Sequence, residues 1–489
     1  MIFVLSIKIF NSIYLYANRK SKQNTTHMQK LNWLYVSKIT LIASVGGFLF
    51  GYDASVISGA FPFMVDYFHL SPTMQGIAVG SVGLGAISGP LLGLYFTQRY
   101  GSRKIMLTAA LLFIVSAIGC AVAFTIWDFI FWRAITGAGI GLAMMSSPIY
   151  IAELSPVHLR GRLVNINQLT NVLGINIAIV AAYFLSFPGW GWRWMMGSEL
   201  VPAAILFIGL FFIPESPRWL IRKGYHIKGL QILTKINGEI QAKKELQEIQ
   251  QGIEKEGLIV DKLLQPSYKK VFLIAIVLMI FSQINGVNVI LTYAPTILEN
   301  AGFSKGTDAI LNSIPIYVFI LITTILSFWL INRFSRRGLL ITSILLMAIG
   351  HMIMAIVLQL HLPSMYILIP MLISTGAFTL GFAPLSWIIV SEIFPNRIRN
   401  KGLAIVCSFL FLSTFFANQT FPMLTHWFSK QFGQPAGVYW VFFGICLACV
   451  FFSYKMVPET KGLSLEQISE LWQEKSLHKK DALGFELQK

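Results

Sequence analysis

An Asp, an Arg and a Glu side chain lie inside long apolar runs of this sequence, where a charge is most costly. Asp53 lies in the run from about Val36 to Ala60, Arg133 in the fourth such run and Glu199 in the sixth. An ionised Asp at the centre of a membrane-crossing helix costs at least about 2.5–3.5 kcal/mol, so it should face a cavity or a partner. Pairing with Arg133 would reduce the cost for both groups. Asp53 could therefore bind and release a proton; the alternative is a permanent ion pair that only orients helices.

Amides form a second group of polar side chains within the apolar runs. Gln168 and Asn171 lie in the fifth run, and Gln283 and Asn288 lie in the seventh. An amide both donates and accepts hydrogen bonds, as an uncharged ligand rich in hydroxyl groups requires. A buried amide can equally join two helices by a hydrogen bond. The residue types alone leave both interpretations open.

The composition indicates which elements must position these side chains. The chain has 489 residues, of which 55% are hydrophobic and 12% charged, and its mean hydropathy is +0.67. Soluble domains carry about 25% charged residues, so this chain has too little charge to cover a soluble surface. Twelve apolar stretches, each of roughly 20 residues, predict twelve transmembrane helices. They exclude a β-barrel, whose strands are shorter and alternate in hydrophobicity.

The positive charges are distributed unevenly along the chain. The formal net charge is +17, from 38 Lys and Arg against 21 Asp and Glu. Most Lys and Arg fall on one side of the membrane if both termini are cytoplasmic, which is the positive-inside pattern. This bias predicts the orientation and makes a nucleic-acid partner unnecessary. The eight His residues show no ligand spacing, so we predict neither a metal nor another cofactor.

Three short patterns occur twice, in the same order and at nearly the same offset. Each copy lies at the end of an apolar run that should face the cytoplasm. Three repeats in register predict two parallel, pseudo-symmetric bundles of six helices. The repeats are RYGSRK at 99–104 and RFSRRG at 333–338, E-x-x-P-x-x-x-R from Glu153 and from Glu392, and IPES at 213–216 and VPET at 457–460.

These patterns divide the chain into five predicted segments. The region between the halves has helical apolar spacing, at Leu230, Leu233 and Ile236 and again from Leu246 to Ile253, which predicts short amphipathic cytoplasmic helices. The tail has a similar short helix from Leu465 to Trp472. The segments are a cytoplasmic tail at 1–35 with a possible start at Met28, a bundle at 36–213, a helical linker at 214–268, a bundle at 269–457 and a cytoplasmic tail at 458–489.

Gly and Pro are concentrated in the first, fourth, seventh and tenth runs. In duplicated membrane folds, interrupted helices at matching positions point to a central cavity, so we predict interruptions in these four. The second run differs, because Gly85, Gly89 and Gly93 recur every four residues. That spacing predicts a face for close helix packing.

Together these motifs resemble the sugar porter family of the major facilitator superfamily, over about residues 36–465. Within that family the chain is most similar to bacterial proton-coupled monosaccharide symporters, such as those for xylose, arabinose and galactose. The motifs are GYD at 51–53, Arg133 with Gly137, Gly139 and Gly141, PIYIAELSPVHLRG at 148–161, PESPRWL at 214–220, QINGVN at 283–288, WIIVSEIFP at 387–395 and PETKG at 458–462.

The resemblance implies the major facilitator fold and a role for each group of residues. The protein would be a monomer in the cytoplasmic (inner) membrane, and not an enzyme. Trp387 would lie against the sugar ring, and paired inner loops would form salt-bridge clusters that close the inner side in the outward-facing state. The implied sets are Asp53, Arg133 and Glu199 for proton coupling; Gln168, Asn171, Gln283, Asn288, Tyr293 and Trp387 for the sugar; and Arg99, Arg103, Glu153, Arg160, Arg336, Arg337, Glu392 and Arg399 for the cytoplasmic gate.

Several positions depart from the family pattern. Ser282 precedes Gln283 where sugar porters usually have two glutamines, and Thr379, Leu410 and Ile320 stand where sugar-binding members often carry Glu or Asn. The C-terminal half of the site should therefore be less polar than usual, which admits a pentose, a deoxysugar or a polyol. Two losses weaken the inner clusters: Gln98 replaces an Asp or Asn, and Ser102 replaces an Arg.

The sequence thus predicts a monosaccharide–proton symporter that works by alternating access, with a sugar, a proton and the lipid bilayer as its partners. One alternative is a facilitative uniporter of sugars or of polyols such as inositol. A membrane sugar sensor that does not transport, and a drug or metabolite antiporter, are further alternatives.

Overall fold

The computed structural model describes residues 32–156, 159–187, 189–257, 268–395 and 398–462. Within these residues, twelve helical spans are long and apolar enough to cross a membrane, which confirms the predicted number. The possible start at Met28 and the short helix predicted from Leu465 to Trp472 lie outside the described residues.

The first six spans come from eight helices. They are α1 Trp33–Phe68 (first span), α2 Pro72–Ala86 and α3 Gly89–Tyr100 (second), α4 Ser102–Val122 (third), α5 Ile126–Leu154 (fourth), α6 Arg160–Leu185 (fifth), and α7 Trp192–Gly197 and α8 Leu200–Leu210 (sixth). Three shorter helices follow: α9 Pro217–Arg222, α10 His226–Asn237 and α11 Glu239–Gly257.

The second half has the same succession of spans, with two of them broken. They are α12 Lys269–Ile284 and α13 Val287–Thr292 (seventh span, continued by α14 Ala294–Asn300), α15 Thr307–Arg333 (eighth), α16 Arg336–Gln359 (ninth), a 3₁₀ turn Ser364–Ile367, α17 Leu368–Ala377, a π-helical turn Phe378–Phe382 and α18 Ala383–Ile393 (tenth), α19 Arg399–Phe432 (eleventh) and α20 Ala436–Met456 (twelfth).

The packing of the spans follows the predicted duplication. In the first half, the first span packs on the fifth, and the third packs on the fourth and sixth. In the second half, the seventh packs on the eleventh, and the ninth packs on the tenth and twelfth. The halves meet where the second span packs on the eleventh and the eighth packs on the fifth, two contacts that the repeat exchanges. The architecture is therefore two pseudo-symmetric six-helix bundles.

The apolar core consists of two large clusters, one toward each end of the spans. We call the end at Phe68 and Leu185 the outer end, and the end at Trp33 and Arg160 the inner end. Both clusters draw residues from both halves. The charge bias of the sequence predicts that the inner end is cytoplasmic.

The first and fourth spans are continuous helices, so the predicted interruption is wrong for these two. Their glycines serve close packing instead. A Cβ added at Gly51 would lie 1.9 Å from the Asn171 carbonyl oxygen, and one at Gly137 would lie 2.0 Å from that of Val82. The seventh and tenth spans are interrupted as predicted. The second span packs closely as predicted, because a Cβ at Gly85 would lie 1.8 Å from the Ala134 carbonyl oxygen.

The three helices between the halves pack on one another through their apolar faces. Leu233 is buried with Ile221 and Ala242. The remaining residues of the predicted apolar spacing pack against this group: Leu230, Leu246, Ile249 and Ile253. The amphipathic pattern of the sequence thus corresponds to a small helical cluster beside the spans.

Candidate functional site

Asp53 and Arg133 form a buried ion pair between the first and fourth spans. Arg133 Nη1 donates a hydrogen bond to Asp53 Oδ1, and each residue is 1% exposed. The fourth span begins with a capping box, in which Thr125 and Asp128 satisfy each other's backbone N–H groups. This cap fixes the start of the helix about two turns before Arg133. The predicted pair is therefore present in this conformation.

Glu199 joins the same buried region from the junction of α7 and α8. It is 1% exposed and close enough to Asp53 and Arg133 to interact with both electrostatically. Among the described residues, its Oε1 atom has no hydrogen-bond partner, and neither has Arg133 Nε. Two carboxyl groups thus share one cation in a buried site, and like charges there disfavour double ionisation. A single bound proton would balance the charge.

The break in the seventh span brings the predicted amides of the second half together. Gln283 Oε1 accepts a hydrogen bond from Asn288 Nδ2 at 2.8 Å. It also accepts one from Thr414 Oγ1 of the eleventh span at 3.0 Å. Gln283 Nε2 donates to Ser282 Oγ at 3.0 Å, so the serine in place of a second glutamine is part of the network. The half-buried amides are thus ordered before any ligand binds.

The two amides of the fifth span have different surroundings. Asn171 Nδ2 donates to the Gly47 carbonyl oxygen of the first span at 3.2 Å, so its donor joins helices. Gln168 lies on a neighbouring face of α6 and is exposed. An amide within a span that faced lipid would leave its polar groups unsatisfied, which argues that this face lines water-filled space. Gln168 is the better placed of the two for a ligand.

Trp387 lies where the two halves meet. It packs against Leu94 and Met145 of the first half and against Ala404 and Cys407 of the second, and it is half-buried. The π-helical turn Phe378–Phe382 lies just before it in the same span. Such turns are frequent at functional sites because they redirect side chains.

Tyr293 is placed in apolar packing rather than among the amides. Its hydroxyl donates to the Asn418 carbonyl oxygen at 3.1 Å. Its ring contacts those of Phe61 and Phe421, with centroids 5.1 and 5.0 Å away. Because Phe61 belongs to the first half, Tyr293 lies at the junction of the halves toward the outer end.

The second half of the candidate site is largely apolar at the positions where the sequence departs from the family. Ile320 and Leu410 are 1% and 5% exposed, in apolar packing. Thr379 Oγ1 lies 2.6 Å from Thr323 Oγ1, so the two hydroxyls satisfy each other. The amides around Gln283 are therefore the principal polar groups that this half offers to a ligand.

Hydrogen bonds hold the two halves together toward the outer end. The hydroxyls of Ser58 and Tyr317 lie 2.9 Å apart, and both reach the Leu291 carbonyl oxygen, at 3.0 and 2.7 Å. Ser186 Oγ lies 3.0 Å from Thr307 Oγ1 at the ends of the fifth and eighth spans. These contacts join the first span to the seventh and eighth, and the fifth span to the eighth.

The predicted gate residues of the first half are only partly brought together. Arg103 donates its backbone N–H to Glu215 Oε1 at 3.0 Å and its Nε to the Leu210 carbonyl oxygen at 2.7 Å. Ser102 Oγ donates to Glu153 Oε2 at 3.4 Å. Arg99 lies apart, because it is exposed and donates to Tyr95 Oη. Arg160 is exposed and near Glu245 of α11.

The corresponding residues of the second half form a tighter group. Arg336 Nη1 pairs with Glu392 Oε2. Arg337 Nη2 donates to the Tyr454 carbonyl oxygen, and Arg399 Nη2 donates to that of Phe394 at 3.4 Å. These contacts lie within one half, so they fix the inner ends of the ninth to twelfth spans relative to one another.

Two glutamates at equivalent positions of the repeat organise these inner loops. Glu459 accepts the backbone N–H groups of Arg336 and Arg337, both at 3.1 Å, as Glu215 accepts that of Arg103. Burial raises the pKa of the Glu215 carboxyl, although hydrogen bonds oppose this. Glu459 is less buried, and its hydrogen bonds from backbone N–H groups outweigh the desolvation and lower its pKa. In the sequence, the repeated motifs PES and PET indicated that these two glutamates occupy equivalent positions.

Thr414 is a site residue that sequence reasoning missed. A lone Thr within an apolar helix usually donates to the carbonyl four residues earlier, and Thr414 Oγ1 does also lie 2.9 Å from the Leu410 carbonyl oxygen. No spacing in the sequence connects it with Gln283, which lies 131 positions earlier.

The sequence of this chain is similar to that of a known protein family over most of its length. Residues 39–472 match the family model described as Sugar (and other) transporter. This chain belongs to that family. It is 36% identical over 478 residues to the D-xylose-proton symporter of Escherichia coli (strain K12), covering 90% of this chain and 96% of that protein.

Two further similarities agree with this assignment. The chain is 35% identical over 451 residues to the arabinose-proton symporter of Bacillus subtilis (strain 168), covering 90% of this chain and 95% of that protein. Among solved structures, the inward open conformation of the xylose transporter XylE from E. coli superposes with a TM-score of 0.79, at 35% identity, over 90% of this chain and 100% of that one. This sugar transporter family member is thus a multi-pass membrane protein with the major facilitator fold.

Proposed function

We propose that this protein imports a monosaccharide together with a proton by alternating access. One observation carries the coupling: Asp53 and Glu199 are two buried carboxyl groups that share a single buried cation, Arg133. A buried site with this composition has a place for one proton. The similarity to D-xylose- and arabinose-proton symporters supports the same function.

Coupling requires that the proton affinity of this site differs between conformations. Arg133 stabilises an ionised Asp53, and burial destabilises it. A movement that lengthened the Asp53–Arg133 contact would favour protonation, and one that restored it would release the proton. A rocking motion of the two bundles changes the first and fourth spans' exposure, so proton binding and access would be linked.

The sugar would bind between Gln168 of the first half and the amides around Gln283 and Asn288 of the second. Amides both donate and accept, so they suit the hydroxyl groups of a sugar, and the half-buried Trp387 offers an apolar face for its C–H groups. The apolar positions Ile320 and Leu410 favour a substrate with few hydroxyl groups on that side. We therefore expect a pentose or a deoxysugar rather than a hexose.

The proposal also includes the placement of the protein in the membrane and the role of its inner loops. The protein acts as a monomer in the inner membrane, with both termini in the cytoplasm, as the positive-inside bias favours. The inner loops around Arg103, Arg336 and Glu392 keep the inner ends of each half together while the halves move. Separation of the halves at the inner side then opens the cavity to the cytoplasm.

Uptake into proteoliposomes under an imposed pH gradient tests this function. The panel includes pentoses, hexoses, 6-deoxyhexoses and inositol, with empty liposomes as the control. We expect accumulation of at least one pentose or deoxysugar when the outside is acidic, and its collapse with a protonophore. If no sugar or polyol enters under any gradient, the proposal is wrong.

Facilitative uniport is the second candidate, and the complete burial of the Asp53–Arg133 pair favours it, since a permanent pair would not titrate. The two functions differ in one measurement. Uniport predicts that sugar equilibrates without accumulation and that uptake never alkalinises the external medium.

A further inference from the structure

The break in the seventh span leaves a backbone carbonyl group poorly satisfied. Gly286 has φ +90°, a conformation that ends α12, and a Cβ there would meet the Phe442 ring at 2.6 Å. The side chain of Asn285 closes the turn by donating to the Ser282 carbonyl and accepting from Val287 N–H, both at 2.9 Å. From the residues that the structure describes, however, the Asn285 carbonyl oxygen receives only Cys446 Sγ at 3.9 Å, a weak donor.

His351 of the ninth span lies beside this carbonyl group. The residue is 0% exposed, and neither of its ring nitrogens has a hydrogen-bond partner in the part of the chain that the structure describes. The Asn285 carbonyl is the backbone group that faces the ring. The other face of the ring packs on Phe442, with centroids 5.6 Å apart. A buried donor without a partner thus lies against a buried acceptor that lacks a good one.

The position of His351 is closely constrained by its neighbours. The adjacent Gly350 packs so closely on the tenth span that a Cβ there would lie 2.1 Å from Ser374 Oγ. The ninth span therefore packs closely on the tenth beside His351. The seventh span is the broken one of the two that meet at the Asn285 carbonyl, and it carries Gln283 and Asn288 on either side of its break.

We propose that His351 is a positioning residue for the sugar site. Its neutral imidazole carries one N–H, which donates to the Asn285 carbonyl when Gln283 and Asn288 close on a sugar. A neutral ring suits this place, because the neighbours that the structure gives it are the Phe442 ring and the Asn285 carbonyl group. The inference rests on the proposed function, since it concerns binding of that sugar.

An apolar side chain of similar size would fill the same space but leave the carbonyl unpaired. The net value of one buried hydrogen bond predicts a rise in KM of about 5-fold, with a range of about 2- to 12-fold. Because the bond forms only on sugar binding, Vmax should stay within about 2-fold. If the ring only filled space, its replacement would change the stability of the protein and leave KM unchanged.

The decisive comparison is His351→Met against His351→Gln in the full-length transporter. The two side chains are similar in size, and only Gln has a donor. We expect the higher KM for Met and a KM near that of wild type for Gln, with [¹⁴C]pentose uptake and counterflow as readouts. Met354→Leu, also buried on the ninth span, is the matched control and should leave KM unchanged.

The outcomes separate this inference from the proposed function. If wild type takes up no sugar, the proposed function fails. Asn and Gln place the amide nitrogen near opposite ring nitrogens, so His351→Asn is measured as well. If wild type transports and the Met, Gln and Asn variants have equal KM values, His351 is not a positioning residue. If His351→Met does not reach the membrane, the Asn and Gln variants are compared with each other and with wild type. One of the two should then keep a low KM, and an equal rise in both overturns the inference.

Discussion

Thr414 Oγ1 of the eleventh span lies 3.0 Å from Gln283 Oε1 of the seventh, and this contact ties the predicted sugar-binding amide to a helix that also packs on the first half. Gln283 Oε1 is thereby occupied by two donors, Thr414 and Asn288. Its orientation is set by the protein, and Gln283 Nε2, which donates one N–H to Ser282 Oγ, keeps its second N–H for another partner.

Thr414→Val should raise the KM of the transported sugar by about 3- to 10-fold, because removing one donor frees Gln283 to rotate away from its binding orientation. Initial-rate uptake in proteoliposomes measures this. Thr420→Val is the control, since Thr420 is exposed on the same helix and donates only to backbone carbonyl groups. An unchanged KM for Thr414→Val would show that the hydrogen bond from Thr414 does not orient Gln283 for sugar binding.

Asp53→Asn should abolish accumulation of sugar against its gradient and leave counterflow intact. With Asp53 neutral, Glu199 and Arg133 balance each other and the site has no place for a proton. Uptake with an acidic exterior, compared with counterflow at equal pH, measures the difference. Asp66→Asn, an exposed carboxylate on the same span, should behave as wild type. Continued pH-driven accumulation in Asp53→Asn would exclude Asp53 from coupling.

Gly51→Ala should destabilise the protein, because its Cβ would lie 1.9 Å from the Asn171 carbonyl oxygen and the first and fifth spans would have to separate. Overpacking of this kind costs about 1–3 kcal/mol. Gly444→Ala is the matched change: Gly444 lies in α20 with nothing within 4 Å of an added Cβ. It should be neutral or slightly stabilising. Melting temperatures in detergent compare the two, and equal shifts would contradict the packing role.

Glu459→Gln should lower the melting temperature at neutral pH, and its difference from wild type should shrink in acid. The pKa of Glu459 is lowered in the folded protein, so its contribution is present above the unfolded-state pKa of about 4.3 and is lost as pH falls through the folded-state pKa. Thermal unfolding at several pH values measures this effect.

Glu215→Gln is the internal control for that experiment, because Glu215 occupies the equivalent position of the repeat with the opposite shift. Burial raises the pKa of Glu215 in the folded protein. Ionisation of this carboxyl group therefore lowers the stability of the fold as pH rises. Glu215→Gln should cost less at neutral pH than Glu459→Gln. The reverse order would show that the hydrogen bonds of Glu459 do not explain its pKa.

The fold follows from the sequence because its signals are long and repeated. Twelve apolar runs, a one-sided distribution of Lys and Arg and three duplicated motifs are independent patterns, and each predicts the same architecture. The short helices between the halves were also predictable, since the spacing around Leu233 is that of an apolar face. Such signals depend on local periodicity, which the sequence contains.

The glycines show where sequence reasoning stops. Gly51 and Gly286 both lie in spans predicted to be interrupted, but Gly51 allows a neighbouring helix to approach, whereas Gly286 ends a helix with φ +90°. The two glycines differ in where a packing partner lies, and that partner is distant in the sequence: Asn171 for Gly51 and Phe442 for Gly286. Only the three-dimensional packing distinguishes them.

The amides and inner-loop cations have the same ambiguity. Gln168 and Asn171 are three residues apart, yet Asn171 donates to Gly47 and Gln168 remains exposed. A side chain's type gives its hydrogen-bonding capacity, while its direction depends on the rotation of the helix. Arg99 and Arg103 differ in the same way, since the Arg103 side chain donates to the Leu210 carbonyl oxygen, whereas that of Arg99 is exposed and donates to Tyr95 Oη.

The two halves differ in how they could respond to a ligand of the wrong shape. The first and fifth spans approach at backbone distance along several turns, whereas the seventh and tenth are divided by a left-handed Gly and a π-helical turn. A sugar analogue with a bulky substituent should therefore be tolerated when that group points toward Asn288 and rejected when it points toward Gln168. Regioisomeric alkyl sugars offered as competitive inhibitors would thus reveal in which orientation the substrate lies.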